Sequence, residues 1–226
     1  MVRIRSCIAS LCCAMASAVV MLAAGCGSNE SSPPTANLIG SAYRVAPQTK
    51  QYERLQFTLH PVVQVCTSAG DFALQLDAEK APLTVDNFLT YVETGHYDRT
   101  IFHQVYDGFV VIGGGYDEHF HLRPTEPAVR NEAHNGLKNR RGTVAMARQA
   151  DAVDSATSQF FINLADNTSL DFVGTKPSQY GYCVFGEVTS GMDVVDQIGK
   201  GEVHKTTDFD DVPVHPVVIR SIRRIK

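Results

Sequence analysis

Phe72-Ala73-Leu74-Gln75-Leu76 sets three large apolar side chains, Phe72, Leu74 and Leu76, on one face of the backbone, with Ala73 and Gln75 between them. Side chains alternate between faces in an extended chain, so this period of two predicts a strand with one buried face. Working outward, residues 61–66, 109–112, 142–147, 160–164, 182–188 and 217–222 form further short apolar runs, most bounded by Gly, Pro or Asn/Asp. Those residues favour turns, and a series of short strands with turn signals predicts a closed antiparallel β-barrel.

Two segments break the strand rhythm. From Pro82, suited to a first helical turn, the residues Val85, Phe88, Leu89 and Val92 recur at i, i+3, i+4 and i+7, and Gly95 ends the pattern. Residues 192–198, stopped by Gly199, predict a second, shorter helix. No repeat of 20–50 residues is visible, which excludes solenoids and propellers. A barrel with two capping helices follows, in a chain of 226 residues whose length suits one domain plus appendages.

The appendages lie at the N-terminus. Arg3 and Arg5 precede an uncharged apolar stretch, residues 7–24, and small residues follow, the order of a secretory signal peptide; the run is marginal for a membrane span. Leu22-Ala23-Ala24-Gly25-Cys26 resembles a bacterial lipobox, with Leu22 one residue further from the cysteine than usual. That resemblance implies a signal over 1–25, Cys26 lipidated as the first mature residue, and a place in the bacterial cell envelope. The protein would then be lipid-anchored and periplasm-facing, at the outer rather than the inner membrane because Gly27, not Asp, follows the cysteine. A plain cleavable signal with a soluble periplasmic product is the alternative.

Residues 26–56, with Ser31-Ser32-Pro33-Pro34 and no apolar periodicity, predict a flexible tether, leaving 57–226 as the folded domain. Loss of Arg3 and Arg5 with the signal leaves 18 basic against 24 acidic side chains, an unpromising balance for nucleic acid. Of six cysteines only Cys66 and Cys183 would remain unmodified; both lie in apolar runs and are expected as buried free thiols, although an oxidising compartment permits a bridge.

Chemistry enters with three stretches. Phe102-His103-Gln104-Val105 is followed by Gly108-Phe109 and Gly113-Gly114-Gly115; Asn131-Glu132-Ala133 precedes the run from Gly142 to Arg148; and Asp154-Ser155-Ala156-Thr157-Ser158-Gln159-Phe160-Phe161-Ile162 comes next. Together with Phe185-Gly186-Glu187-Val188 and Gly191-Met192-Asp193, these motifs resemble the cyclophilin family in its bacterial branch, over about residues 62–225. The resemblance implies a mainly β fold, a closed eight-stranded antiparallel barrel capped by two α-helices, with a peptide groove on its outer surface. It also implies peptidyl-prolyl isomerase activity without metal or cofactor and proline-containing polypeptides as partners; a monomer is expected, with the oligomeric state left open by the sequence.

Transferred position by position, the resemblance assigns the proline pocket to Phe109, Val110, Met146, Phe161 and Leu170. It adds His103 and Ala147 as further groove residues. Gln159 and the backbone of Arg148 would orient the peptide, and Tyr182 stands where many members have His or Tyr. Three positions depart from the pattern: Gln104 replaces the catalytic arginine, Ile112 a groove glutamine, and Ser169 an aromatic wall.

The reaction explains why these residue types matter. An X–Pro amide is held by a barrier of about 18–20 kcal/mol and exchanges in about 10–100 s. A catalyst must grip the proline ring and hydrogen-bond the nitrogen as its lone pair localises, binding the twisted state best. Gln104 can donate only a neutral hydrogen bond, roughly half as strong as a charge-assisted one, so the expectation is slowed isomerisation during folding of exported proteins. A non-catalytic proline-peptide or chaperone surface is the second expectation.

Other signals point to less. Asp117, Glu118, His119 and His121 read as a polar loop rather than a metal site, and Asp208, Asp210 and Asp211 lack the Gly and terminal Glu of an EF-hand. The triple glycine is not followed by Lys-Ser/Thr, so it does not read as a phosphate loop.

Overall fold

A computed structural model describes residues 59–206 and 209–225. The signal, Cys26, the whole of the tether and Asp208 lie outside the described residues.

Among the described residues, ten strands and two α-helices follow in chain order: β1 (Val62–Thr67), β2 (Asp71–Leu76), α1 (Pro82–Glu93), β3 (Thr100–Tyr106), β4 (Val110–Asp117), β5 (Thr143–Met146), β6 (Phe160–Asn163), β7 (Val184–Ser190), α2 (Met192–Gly199), β8 (Val203–His204), β9 (Val212–Pro213) and β10 (Val218–Ile225). Eight strands close into an antiparallel barrel in the order β1-β10-β3-β4-β6-β5-β7-β2, while β8 and β9 pair separately. Closure leaves no unpaired edge among those eight.

The alternation in β2 has the predicted effect: Phe72, Leu74 and Leu76 are at most 1% exposed and join the interior cluster. That cluster fills the barrel with Val63, Val65, Phe102, Val144, Met146, Phe160, Ile162 and Phe185, among others. Barrels of eight strands are just narrow enough to be packed solid by side chains, so the lumen holds core rather than ligand.

The helices close opposite ends. Phe88 of α1 packs 5.7 Å from Phe160, the first residue of β6, whereas Gly199 at the end of α2 abuts Leu164, just past the last residue of β6. Gly199 fits closely there, because a Cβ would meet the end of the Leu164 side chain.

Pro82 begins α1, but no neighbouring side chain caps it. The cap comes from 48–49 residues away: the Glu132 carboxylate accepts the backbone N–H groups of Leu83 and Thr84 at 3.2 and 2.9 Å and the Thr84 hydroxyl at 2.7 Å. A buried anion there satisfies orphan amides and faces the positive end of the helix dipole. Asn131 accepts the Ala133 amide and donates to the Gly181 carbonyl, so the Asn131-Glu132-Ala133 motif is a splice between α1 and the loop before β7.

Both described cysteines are free, but Cys66 is half-buried, not buried; Cys183 is buried beside the Thr84 hydroxyl at 3.3 Å. Burial pushes the Cys183 thiol up to about 12, so it stays protonated and unreactive. Among the described residues no helix is long and apolar enough to cross a membrane.

Glu132→Ala removes the side-chain acceptor at the N-terminus of α1 and leaves the buried Thr84 amide unsatisfied, so unfolding free energy should fall by about 1–3 kcal/mol. Urea denaturation checks it; an unchanged midpoint would show that the cap contributes nothing.

Candidate functional site

A second apolar cluster lies on the outside of the barrel. Val110, Ile112, Ala145, Ala147, Phe161, Leu170 and Val184 are its buried members, with Tyr106, Phe109, Leu137 and Tyr182 packed against it. Its register is explicit: Gln104 pairs with Ile112, Ile112 with Phe161, Phe161 with Ala145 and Ala145 with Val184, a single row across five strands. Adjacent residues face the other way, so Phe160 fills the lumen and Phe161 floors the outer face.

This row separates the predicted pocket residues. Phe109, Val110, Phe161, Leu170, Tyr182, Ile112 and Ala147 converge on the outer cluster. Met146 does not: it pairs with Phe160 and packs in the interior cluster, so the expectation that it lines the pocket is corrected. The physical reason is the same alternation, which gives the outer face to Ala145 and Ala147.

The polar positions divide as well. Gln159 has a buried Oε1 without a hydrogen-bond partner among the described residues, as does Gln104. Its side chain lies across Gly115, where a Cβ would come within 2.5 Å of Gln159 Cγ, so the third glycine of Gly113-Gly114-Gly115 makes room for it. Arg148 is 4% exposed, and its guanidinium donates to the carbonyls of Gly181, Gln149, Ala150 and Pro177 at 2.7–2.9 Å. It also lies 5.0 Å from the centre of the Tyr182 ring, so this side chain holds the groove wall rather than reaching for a ligand. Ser169 is exposed in the short helical turn Thr168–Leu170.

His103 is corrected too. It is fully buried, with its ring 4.7 Å from Tyr116 and 5.8 Å from Phe209, and burial lowers its pKa to about 3. A neutral ring covered on both sides is a packing element, out of a peptide's reach.

Gln104 departs most from expectation. It is 1% exposed, and Nε2 donates both to Tyr106 Oη at 2.9 Å and to the Asp210 carbonyl at 2.8 Å. A carboxamide has two N–H bonds, and both are engaged. The role of donor to a twisting prolyl nitrogen is therefore corrected: the segment leading into β9 covers this side chain, with Val105 N–H donating to Asp211 O at 3.0 Å.

Three buried asparagines went unnoticed in the sequence. Asn163 Nδ2 donates to the Thr143 hydroxyl at 2.9 Å; Asn167 Nδ2 donates to Asn163 Oδ1 at 2.8 Å and to the Phe109 carbonyl at 2.9 Å; Asn139 Nδ2 donates to the Leu170 carbonyl at 3.1 Å. They fix the turn carrying Phe109 and the loop carrying Leu170. The available signal was Asn163 itself, a polar residue inside the apolar run of residues 160–164.

An open cleft of about 530 Å³ also exists, bordered by Gln75, Asp77, Lys138, Arg140 and Glu187. Its charged rim does not suit a proline ring. The polar loop after β4 is self-contained, since Asp117 accepts the His119 and His121 amides at 2.8 and 3.0 Å.

Comparisons with known proteins agree with this fold. The family described as cyclophilin type peptidyl-prolyl cis-trans isomerase/CLD matches residues 62–224. This chain belongs to that family. Peptidyl-prolyl cis-trans isomerase A of Dickeya dadantii is 49% identical over 164 residues, covering 73% of this chain and 84% of the relative. Peptidyl-prolyl cis-trans isomerase B of Escherichia coli is 47% identical over 156 residues, covering 69% and 94%. A crystal structure of a Cryptosporidium parvum cyclophilin shares the fold with a TM-score of 0.61 at 24% identity, covering 74% of this chain and 98% of that one. A second structure of that protein was determined in the presence of the dipeptide Ala-Pro. The enzyme class of this cyclophilin is that of its family, peptidyl-prolyl cis-trans isomerase.

With both amide hydrogens of Gln104 engaged, Gln104→Leu should lower kcat/KM by less than about tenfold, whereas loss of a preorganised transition-state donor costs roughly 100–1000-fold. Isomerisation kinetics on the two proteins decide the matter; a loss above 100-fold would restore Gln104 as the donor.

Proposed function

We propose that this cyclophilin isomerises X–Pro bonds in exported polypeptides, more slowly than members carrying arginine at the position of Gln104. The observation that carries the reading is the outer cluster: a floor of Val110, Ile112 and Phe161, with walls from Phe109, Leu170 and Tyr182. Phe161 and Tyr182 meet edge to face at 5.6 Å, an arrangement favourable to a small apolar ring. The pocket would hold the proline while Gln159 accepts a peptide N–H, leaving the carbonyl on the other side of the bond to rotate. Such binding lowers the barrier only as far as it favours the twisted amide.

A specific observation favours the second reading, a proline-peptide binding or chaperone surface with little turnover: no guanidinium stands at position 104, and both N–H bonds of the Gln104 amide are engaged. Exchange NMR on a proline peptide separates the readings without a coupling protease. The isomerase reading expects faster cis–trans exchange with the wild-type protein, and a further roughly 10–1000-fold increase with Gln104→Arg through a charge-assisted donor. Binding without faster exchange would establish the second reading; equal rates in both proteins would overturn the proposed slowness.

The place of action is proposed from residues 1–26 alone: export, lipidation at Cys26 and a tether over 26–56 that holds the barrel at the outer membrane, facing the periplasm. Metabolic labelling with a fatty acid should mark the wild type and not Cys26→Ser. Equal labelling of both, or none of the wild type, would overturn the anchor.

A further inference from the structure

We propose that Tyr106 is the residue of β3 that a bound prolyl peptide touches, and that Gln104 is the positioning residue that holds it. The inference rests on the reading of the outer cluster as a proline pocket and adds a contact that the family pattern does not assign.

Four observations carry it. Tyr106 follows Gln104 by two residues and pairs with Val110, so it lies on the same outer face as the pocket floor. Its ring packs against the outer cluster and meets Phe109 edge to face, at 6.5 Å and 77°. Tyr106 is partly exposed, whereas Gln104 is 1% exposed. The Tyr106 hydroxyl accepts a hydrogen bond from Gln104 Nε2 at 2.9 Å, while the same nitrogen is fixed to the Asp210 carbonyl.

Solvent and a ligand therefore meet the ring rather than the amide. Proline presents the slightly positive C–H groups of its ring, which pack well on an aromatic face and prefer it to an aliphatic wall. A ring already held at its hydroxyl loses little rotamer freedom when a ligand arrives, which favours binding through preorganisation. The need for such a surface is plain in this chain, since Ser169 is an exposed serine where the resemblance leads one to expect an aromatic wall.

The test uses the full chain and the peptide Ala-Ala-Pro-Ala. Tyr106→Leu should weaken its binding about three- to tenfold with the melting temperature little changed, and Tyr106→Phe should stay within about twofold of wild type. Gln104→Leu should weaken binding in the wild type but not in the Tyr106→Leu background, the non-additivity expected of a residue acting through another. Nuclear Overhauser contacts between the peptide's proline ring and the Tyr106 ring should appear, a signal that a purely structural role would not produce. Wild-type binding without those contacts, or undiminished binding by Tyr106→Leu, overturns this inference and leaves the pocket intact. No peptide binding by the wild type overturns the pocket reading and this inference with it.

Discussion

Phe160 and Phe161 are neighbours in sequence and must point to opposite faces of one extended strand. Because β6 is buried on both sides, neither ring can turn to water, and each is worth about 1.5–3 kcal/mol of apolar burial. Phe160 meets Phe88, Tyr97 and Phe102 inside the barrel, while Phe161 becomes the floor of the external pocket. A slip of β6 by one residue would exchange the two and destroy core and pocket together. The stability of the barrel and the position of the proposed site are thus one constraint.

The rest of the pocket is built from loops, and its order comes from buried polar groups. Arg148 gathers four carbonyls from two segments, Glu132 ties α1 to the chain before β5, and the asparagines at 139, 163 and 167 clamp the Phe109 turn to the Leu170 loop. Each such bond contributes only about 0.5–1.5 kcal/mol net, more where a charge takes part, yet leaving any of these buried groups unpaired costs more. Loops held in this way present a preformed surface, which spares a ligand part of the ordering cost.

Position 104 shows how one substitution can be absorbed by its surroundings. An arginine is long and always charged, and burying it without partners would be expensive, whereas a glutamine can lie flat between a tyrosine hydroxyl and a backbone carbonyl. Gln104 thus places its polar contacts in the packing between β3 and the segment before β9. What then faces outward on that strand is the ring of Tyr106.

The sequence by itself determined the barrel and its helices, because periods of two and of 3.6 are local properties of the chain, and the motifs around Gly113, Met146 and Phe160 identified the family. It also led to most of the outer apolar cluster, since Phe109, Val110, Phe161 and Leu170 are large apolar residues within those motifs or close to them. Only the tertiary structure decided that Met146 faces inward, because the face a residue takes depends on the register of β5 against β6. Only it decided that His103 and Gln104 are covered, because their neighbours Phe209 and Asp210 are more than 100 residues away along the chain. Distant contacts of that kind leave no local pattern, and they set which polar atoms remain available for chemistry.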